Sequence, residues 1–146
     1  MIRFTIPAMP VAEPRKRTRI VAAGGRQFAS HYTPKDSPAN VFKATARMAA
    51  QQAYQGHQLA GPLRVDLVFV FPRPGRLVWK KRPMPRAWHS SKPDRDNLDK
   101  CVLDSFKGRL WIDDCQVCAG SIEKWYAAGD EQPHVEVTIT ELEAAC

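Results

Sequence analysis

Apolar and polar residues alternate along Ile2-Arg3-Phe4-Thr5-Ile6 and stop at Pro7, the pattern of a strand buried on one face. The same alternation opens residues 63–71, Leu-Arg-Val-Asp-Leu-Val-Phe-Val-Phe, and then becomes a continuous apolar run, which predicts a strand entering the interior of a sheet. Between them, Ser37-Pro38 offers an N-cap and a first helical position, and Val41, Phe42, Met48 and Ala49 recur at helical spacing up to Gly56. A helix is predicted over 38–55. A second helix is predicted over 94–107, with Leu98, Cys101, Val102, Ser105 and Phe106 on one stripe and Gly108 as its stop. Residues 110–126 read as one or two strands and 135–140 as a last one. The order β-α-β-α-β-β predicts an α/β (α+β) fold in which two main helices pack on a mixed β-sheet. At 146 residues, one domain over 1–146 is expected, with no repeat or low-complexity segment to divide it.

Composition adds little to this until charge is placed along the chain. Hydrophobic residues make up 44% and charged residues 25%, so the chain is neither disordered nor fibrous. No apolar run reaches the length of a membrane span, and Arg3, Pro7 and Pro10 interrupt any signal-peptide core, so a cytoplasmic, nucleoid-associated protein with no membrane partner is expected. The net charge is +7, yet residues 1–109 hold 21 of the 22 Lys and Arg and only 7 of the 15 acids. One basic cluster is Arg15, Lys16, Arg17, Arg19 and Arg26; the other is Arg73, Arg76, Lys80, Lys81, Arg82, Arg86, Lys92 and Arg95, with Trp79 and Trp88 interleaved. Both tracts are rich in Pro or Gly and read as loops able to follow a phosphate backbone. A charge run is more often a solvated face, but two runs with tryptophans favour nucleic acid.

Six of the 15 acids fall between 94 and 114 in this otherwise basic chain. Acids so placed repel the polyanion the rest attracts, unless a divalent cation joins them to phosphate: Mg²⁺ takes one or two carboxylates and completes its shell with water and phosphate oxygens. Asp94 and Asp96 lie at a predicted helix start, and Lys100 follows Asp96 by four residues, where it can hold a phosphate or stabilise a leaving oxygen. Each feature has an ordinary explanation as a helix cap, a surface ion pair or a strand opening. Their combination is harder to explain that way.

The run His89-Ser-Ser-Lys-Pro-Asp-Arg-Asp-Asn-Leu-Asp-Lys100, with Val102-Leu-Asp-Ser-Phe106 and Trp111-Ile-Asp-Asp-Cys-Gln-Val117, resembles the RusA family of Holliday-junction resolvases, many of them from phages and prophages. The specific match covers about residues 89–126. The resemblance implies a small homodimer that cuts four-way DNA junctions symmetrically with Mg²⁺ or Mn²⁺ and needs no small-molecule cofactor. Carried across by position, it implies Asp94, Asp96 and Asp114 as essential metal-binding acids and Lys100 as the essential lysine. Asp113 is a second candidate ligand beside Asp114. Asp99, about 100° round the helix from Lys100, is expected to face solvent. Expected DNA contacts are Arg15, Lys16, Arg17, Arg19, Lys80, Lys81, Arg82, Arg86, Lys92 and Arg95. One departure is the long basic, Pro-rich segment 72–92, which the shorter members of the family lack.

Cys115-x-x-Cys118 has half of a zinc-site spacing, but a strand over 112–119 would point the two thiols to opposite faces, and Cys101 and Cys146 add no second pair. Buried free thiols are expected. The histidines 31, 57, 89 and 134 form no cluster, and His89 reads as a loop residue. No Ser-His-Asp order or glycine-rich phosphate loop supports acyl transfer or nucleotide hydrolysis. Rival readings are a non-catalytic DNA- or RNA-binding module and a nuclease acting on other branched DNA.

Overall fold

The computed structural model describes residues 1–78 and 84–144. Among these the strands are β1 (Ile2–Ile6), β2 (Arg17–Ala23), β3 (Arg26–Tyr32), β4 (Leu63–Phe71), β5 (Ala87–Trp88), β6 (Val117–Ala119), β7 (Ile122–Tyr126) and β8 (His134–Glu141). The helices are α1 (Pro38–Ala53) and α2 (Arg95–Phe106), with single 3-10 turns at Gly75–Leu77 and Asp114–Gln116. No helix is long and apolar enough to cross a membrane among the described residues.

The predicted elements are present, and the chain is a small α/β domain with a mixed sheet of order β1-β8-β4-β7-β5. β4 lies at its centre, antiparallel to β8 on one edge; on the other edge it runs parallel to β6 and then to β7. The alternation in the sequence decides which face is covered. Phe4, Leu67, Phe69, Val135 and Val137 join Phe42, Ala46, Leu98, Val102 and Phe106 of the helices in one core, and Phe4 meets Phe106 edge to face at 5.6 Å. The acidic C-terminal segment thus supplies a central strand. The opposite face of the sheet carries neither α1 nor α2 and, among the described residues, presents Trp88 stacked on Trp125, with ring centroids 3.6 Å apart.

α1 starts where Ser37 accepts a hydrogen bond from the Ala39 amide, with Pro38 in the first turn. Its buried Lys43 ties three segments together, pairing with Glu13 of the N-terminal loop at 2.9 Å and Asp104 of α2 at 2.8 Å. Cys101, buried alongside, has its thiol pushed up to about 12 by burial, which keeps it protonated.

β6 and β7 are separated by Gly120, where a Cβ would lie 1.9 Å from the Val65 carbonyl oxygen. The obstacle is backbone of the central strand and cannot swing aside. Gly120→Ala should therefore cost about 1–3 kcal/mol or more, read as a lower urea midpoint. An unchanged midpoint would show that β6 can lift off β4 freely.

Two readings of the basic tracts change. Residues 17–32 are a β-hairpin rather than a loop, turning at Gly24-Gly25 with φ of 60° and 75°. Two consecutive left-handed residues suit the two-residue turns that match strand twist, and glycine takes them without strain. The hairpin buries neither face, so its alternation is weak. In the second tract β5 pairs with β7, and Arg73 donates to the carbonyls of Ala127 at 2.9 Å, Leu77 at 3.0 Å and Pro85, bracing the fold. Trp79, Lys80, Lys81 and Arg82 lie outside the described residues, as does Cys146.

Candidate active site

The site grows from the edge of the sheet. After β5, the His89 amide donates to the Lys124 carbonyl at 3.0 Å and the imidazole is buried against Phe71 and Tyr126, with centroids 4.2 Å and 4.5 Å away. It is a loop residue, as expected, but a buried one that packs against the sheet edge. Burial, and then Lys124, hold its pKa below the ordinary value, so it is neutral. The chain then turns through Ser91, whose carbonyl accepts from Lys124 Nζ at 2.6 Å, and enters α2.

Asp94 is the N-cap residue of α2, in extended conformation, but its carboxylate makes no capping hydrogen bond. Asp96 follows in the first turn. Both are exposed at the positive end of the helix and, with Ser90, Ser91, Lys92, Arg95 and Lys124, line a shallow depression of about 530 Å³. Lys100 is exposed one turn further on, and among the described residues it forms no ion pair with Asp96. The four-residue spacing therefore does not produce the ordinary surface pair. The apolar stripe of α2 is buried as expected and fixes which way these polar groups point.

The second group of acids follows α2. Trp111 is fully buried, packed edge to face on Phe106 at 5.7 Å, and its indole Nε1 donates to Asp114 Oδ1 at 2.9 Å. Asp113 caps the following 3-10 turn by accepting from the Cys115 amide at 3.3 Å and lies 3.6 Å from Lys107. The Cys115 amide, and then Lys107, hold the Asp113 carboxyl below the usual range. Gln116 clamps the turn from both ends. Its Oε1 accepts from the amides of Ile112 at 2.8 Å and Asp113 at 3.1 Å, while Nε2 donates to the carbonyls of Leu59 and Gly61 at 3.0 Å each.

Asp99 differs from its expected placement. It is half-buried, and its carboxyl is pushed up first by burial and then by the charge of Asp114. The two carboxylates therefore sit in each other's field, on the flank of α2 that the 111–116 turn approaches. Among the described residues no three His, Cys, Asp or Glu side chains gather within reach of one metal ion. The pair Asp94 and Asp96 and the pair Asp99 and Asp114 remain two groups. All four donors are hard oxygens, the kind a divalent cation such as Mg²⁺ takes one or two at a time, so the residues present fit such an ion.

Of the basic residues expected at DNA, Arg15, Lys16, Arg17, Arg19, Lys92 and Arg95 are exposed. Arg86 is committed elsewhere, held by Glu131 and Glu136 at 2.6 Å each, and these carboxylates raise its pKa, Glu131 first. Cys115 lies on the 3-10 turn, not on a strand, and both Cys115 and Cys118 are exposed, so only Cys101 meets the expectation of burial among the three described thiols. Sequence reasoning quoted Trp111 and Gln116 only as letters of the matched run and gave Asp99 to solvent, so it assigned none of the three a part in shaping this region. The Trp-x-x-Asp and Asp-x-x-Gln spacings were the available signal, the second being a capping box.

The model of the family described as Endodeoxyribonuclease RusA matches residues 7–140. An uncharacterized protein of Bacillus subtilis (strain 168), YqaN, is 28% identical over 148 residues, covering 98% of each chain. The match begins directly after the N-terminal strand and takes in the hairpin, both helices and nearly all of the last strand, and with it both groups of acids: the chain belongs to the RusA endodeoxyribonuclease family.

Proposed function

We propose that this chain resolves four-way DNA junctions by metal-dependent cuts in two strands of like polarity, acting as a homodimer. The observation that carries the reading is the pairing of two acidic segments in a strongly basic chain: Asp94 and Asp96 idle at a helix start, and Asp114, fixed by a buried tryptophan, near enough for its charge to act on Asp99 of the same helix. Structural caps would be used as caps, and Asp94 is not.

Asp94 and Asp96 in one group and Asp114 in the other would supply the carboxylates for Mg²⁺ or Mn²⁺, one or two to an ion until DNA and cation draw the groups together, and the ion when bound would neutralise phosphate charge and lower the pKa of a water molecule. Asp113 is occupied in capping its turn, which favours Asp114 as the principal ligand of the two. Trp111 fixes one oxygen of Asp114 and leaves the other open. Lys100, without a carboxylate partner among the described residues, would offer its ammonium to a phosphate oxygen or to the leaving oxygen as negative charge develops. Lys92 and Arg95, which form no ion pair among the described residues, border the same depression and can hold the flanking phosphates. One site per chain cannot make paired cuts, so two chains related by a two-fold axis would match the symmetry of the junction.

Incubating purified protein with an end-labelled four-way junction in Mg²⁺, Mn²⁺ or chelator tests the reading, with flap and linear duplex substrates as comparators. Paired nicks at symmetric positions, lost in chelator, are expected. Binding without metal-dependent cleavage would leave a non-catalytic module. Lys100→Ala should lower the single-turnover rate by about a hundredfold, with junction affinity within about twofold, because one lysine contributes little to the total phosphate field. Equal losses in rate and affinity would assign Lys100 to positioning the DNA.

A further inference from the structure

The hairpin β2–β3 stands off the body of the protein, with every residue exposed except Val21 and Ser30, which are half-buried. Its register is continuous from Arg17 opposite Tyr32 to Ala23 opposite Arg26. Because cross-strand partners share a face and side chains alternate along each strand, Arg17, Arg19, Val21, Arg26, Phe28 and Tyr32 fall on one side. Thr18, Ile20, Gln27 and His31 fall on the other, where Thr18 and His31 are joined at 2.9 Å. The first side is both cationic and aromatic. The Arg19 guanidinium lies over the Tyr32 ring, 5.3 Å from its centre, and Phe28 is 52% exposed.

Residues 14–35 contain no acid, and none of Arg17, Arg19 and Arg26 has a carboxylate partner among the described residues. A two-stranded hairpin without a core is marginal in water, and uncovered apolar side chains add to the difficulty. A polyanion supplies the missing charge. Phosphate does not explain the aromatic surface. Phe28 lies three residues beyond the Gly24-Gly25 turn, near the tip of an arm that reaches roughly 20 Å at 3.3 Å per residue. The apolar surface that DNA can offer such a ring is the face of a base, which continuous duplex hides by stacking and which becomes available where arms part.

We infer that this face of the hairpin is a branch-sensing arm: Arg17, Arg19 and Arg26 hold phosphates, and Phe28 stacks on a base left unstacked where duplex arms diverge, favouring branched over continuous duplex DNA. The inference rests on the reading of branched DNA as substrate and adds the element that recognises the branch. Neither residue group touches the acids of the candidate active site, so recognition and cleavage are separable.

The test uses the full chain in chelator, with a four-way junction carrying 2-aminopurine at the crossover and a linear duplex of the same sequence. Phe28→Ala should lose about tenfold in junction affinity and less than twofold on duplex, and should abolish the protein-induced change in 2-aminopurine emission. Phe28→Trp should retain both, which controls for folding. The triple variant Arg17→Gln, Arg19→Gln, Arg26→Gln should weaken both substrates and flatten the slope of log affinity against log salt by about 2–3. Equal loss on junction and duplex with Phe28→Ala, or an unchanged emission response, overturns the inference even if junctions are cut. Wild-type protein that binds junctions through Phe28 but cuts no branched DNA in Mg²⁺ sinks the resolvase reading and leaves the arm standing.

Discussion

Asp96→Asn should bind four-way junctions at least as tightly as the wild type and cleave them at least a thousandfold more slowly. The substitution keeps the size of the side chain and removes one negative charge, so it weakens the hold on a cation while reducing repulsion of DNA. Asp96 is exposed in the first turn of α2 and does not contribute to the core, so loss of folding would not account for the loss of rate. Single-turnover cleavage beside equilibrium binding in chelator separates the two effects. Undiminished cutting would end the proposed metal role of Asp96. Mixed dimers of wild-type and Asp96→Asn chains should nick one strand and leave the junction unresolved, whereas a monomer making paired cuts would overturn the dimer.

The largest expected loss of stability comes from Lys43. Its ammonium is buried between Glu13, whose side chain is 11% exposed, and Asp104, which is half exposed. Lys43→Met fills the space but leaves Glu13 buried and uncompensated, and removing one partner of such a pair costs about 3–5 kcal/mol. Against a total of about 5–15 kcal/mol for an ordinary domain, that is a large fraction. Urea unfolding of Lys43→Met reads it, and Glu13→Gln added to Lys43→Met should recover much of the loss. A loss below about 1 kcal/mol would mean that Glu13 escapes to water. The pH dependence has a definite sign. The hydrogen bond from Lys43, opposed by burial, holds the Asp104 carboxyl below its ordinary value. A carboxylate depressed in the folded state contributes stability above its unfolded pKa and loses that contribution as pH falls through the folded pKa. Lys43→Met should therefore flatten the acid limb of the stability curve.

Elements with one buried face were the ones the sequence announced. Leu63 to Phe71 and Val135 to Ile139 alternate because the sheet has helices on one side, and Leu98 to Phe106 follow helical spacing because that stripe packs on the sheet. The β2–β3 hairpin escaped notice because neither of its faces is buried, so only Gly24-Gly25 marked it. The acids 94–100 were legible because they cluster at a helix start. What surrounds Asp114 was not, since Gln116 reaches carbonyls 57 and 55 residues away, and no local pattern encodes such contacts. Asp99 was misplaced for the same reason: helical geometry gives its angle from Lys100 but not which loop returns to cover that angle.

The stacked indoles of Trp88 and Trp125 join the edge strand leading to the Asp94 turn to the strand that carries Lys124. Two chromophores 3.6 Å apart and inclined by 22° share their excitation. Their ultraviolet bands must split, and the circular dichroism of the pair depends steeply on separation and tilt. The molecule thus carries an unlabelled optical gauge beside the depression lined by Asp94 and Asp96, able to register small displacements of that edge when Mg²⁺ or DNA is added to the protein.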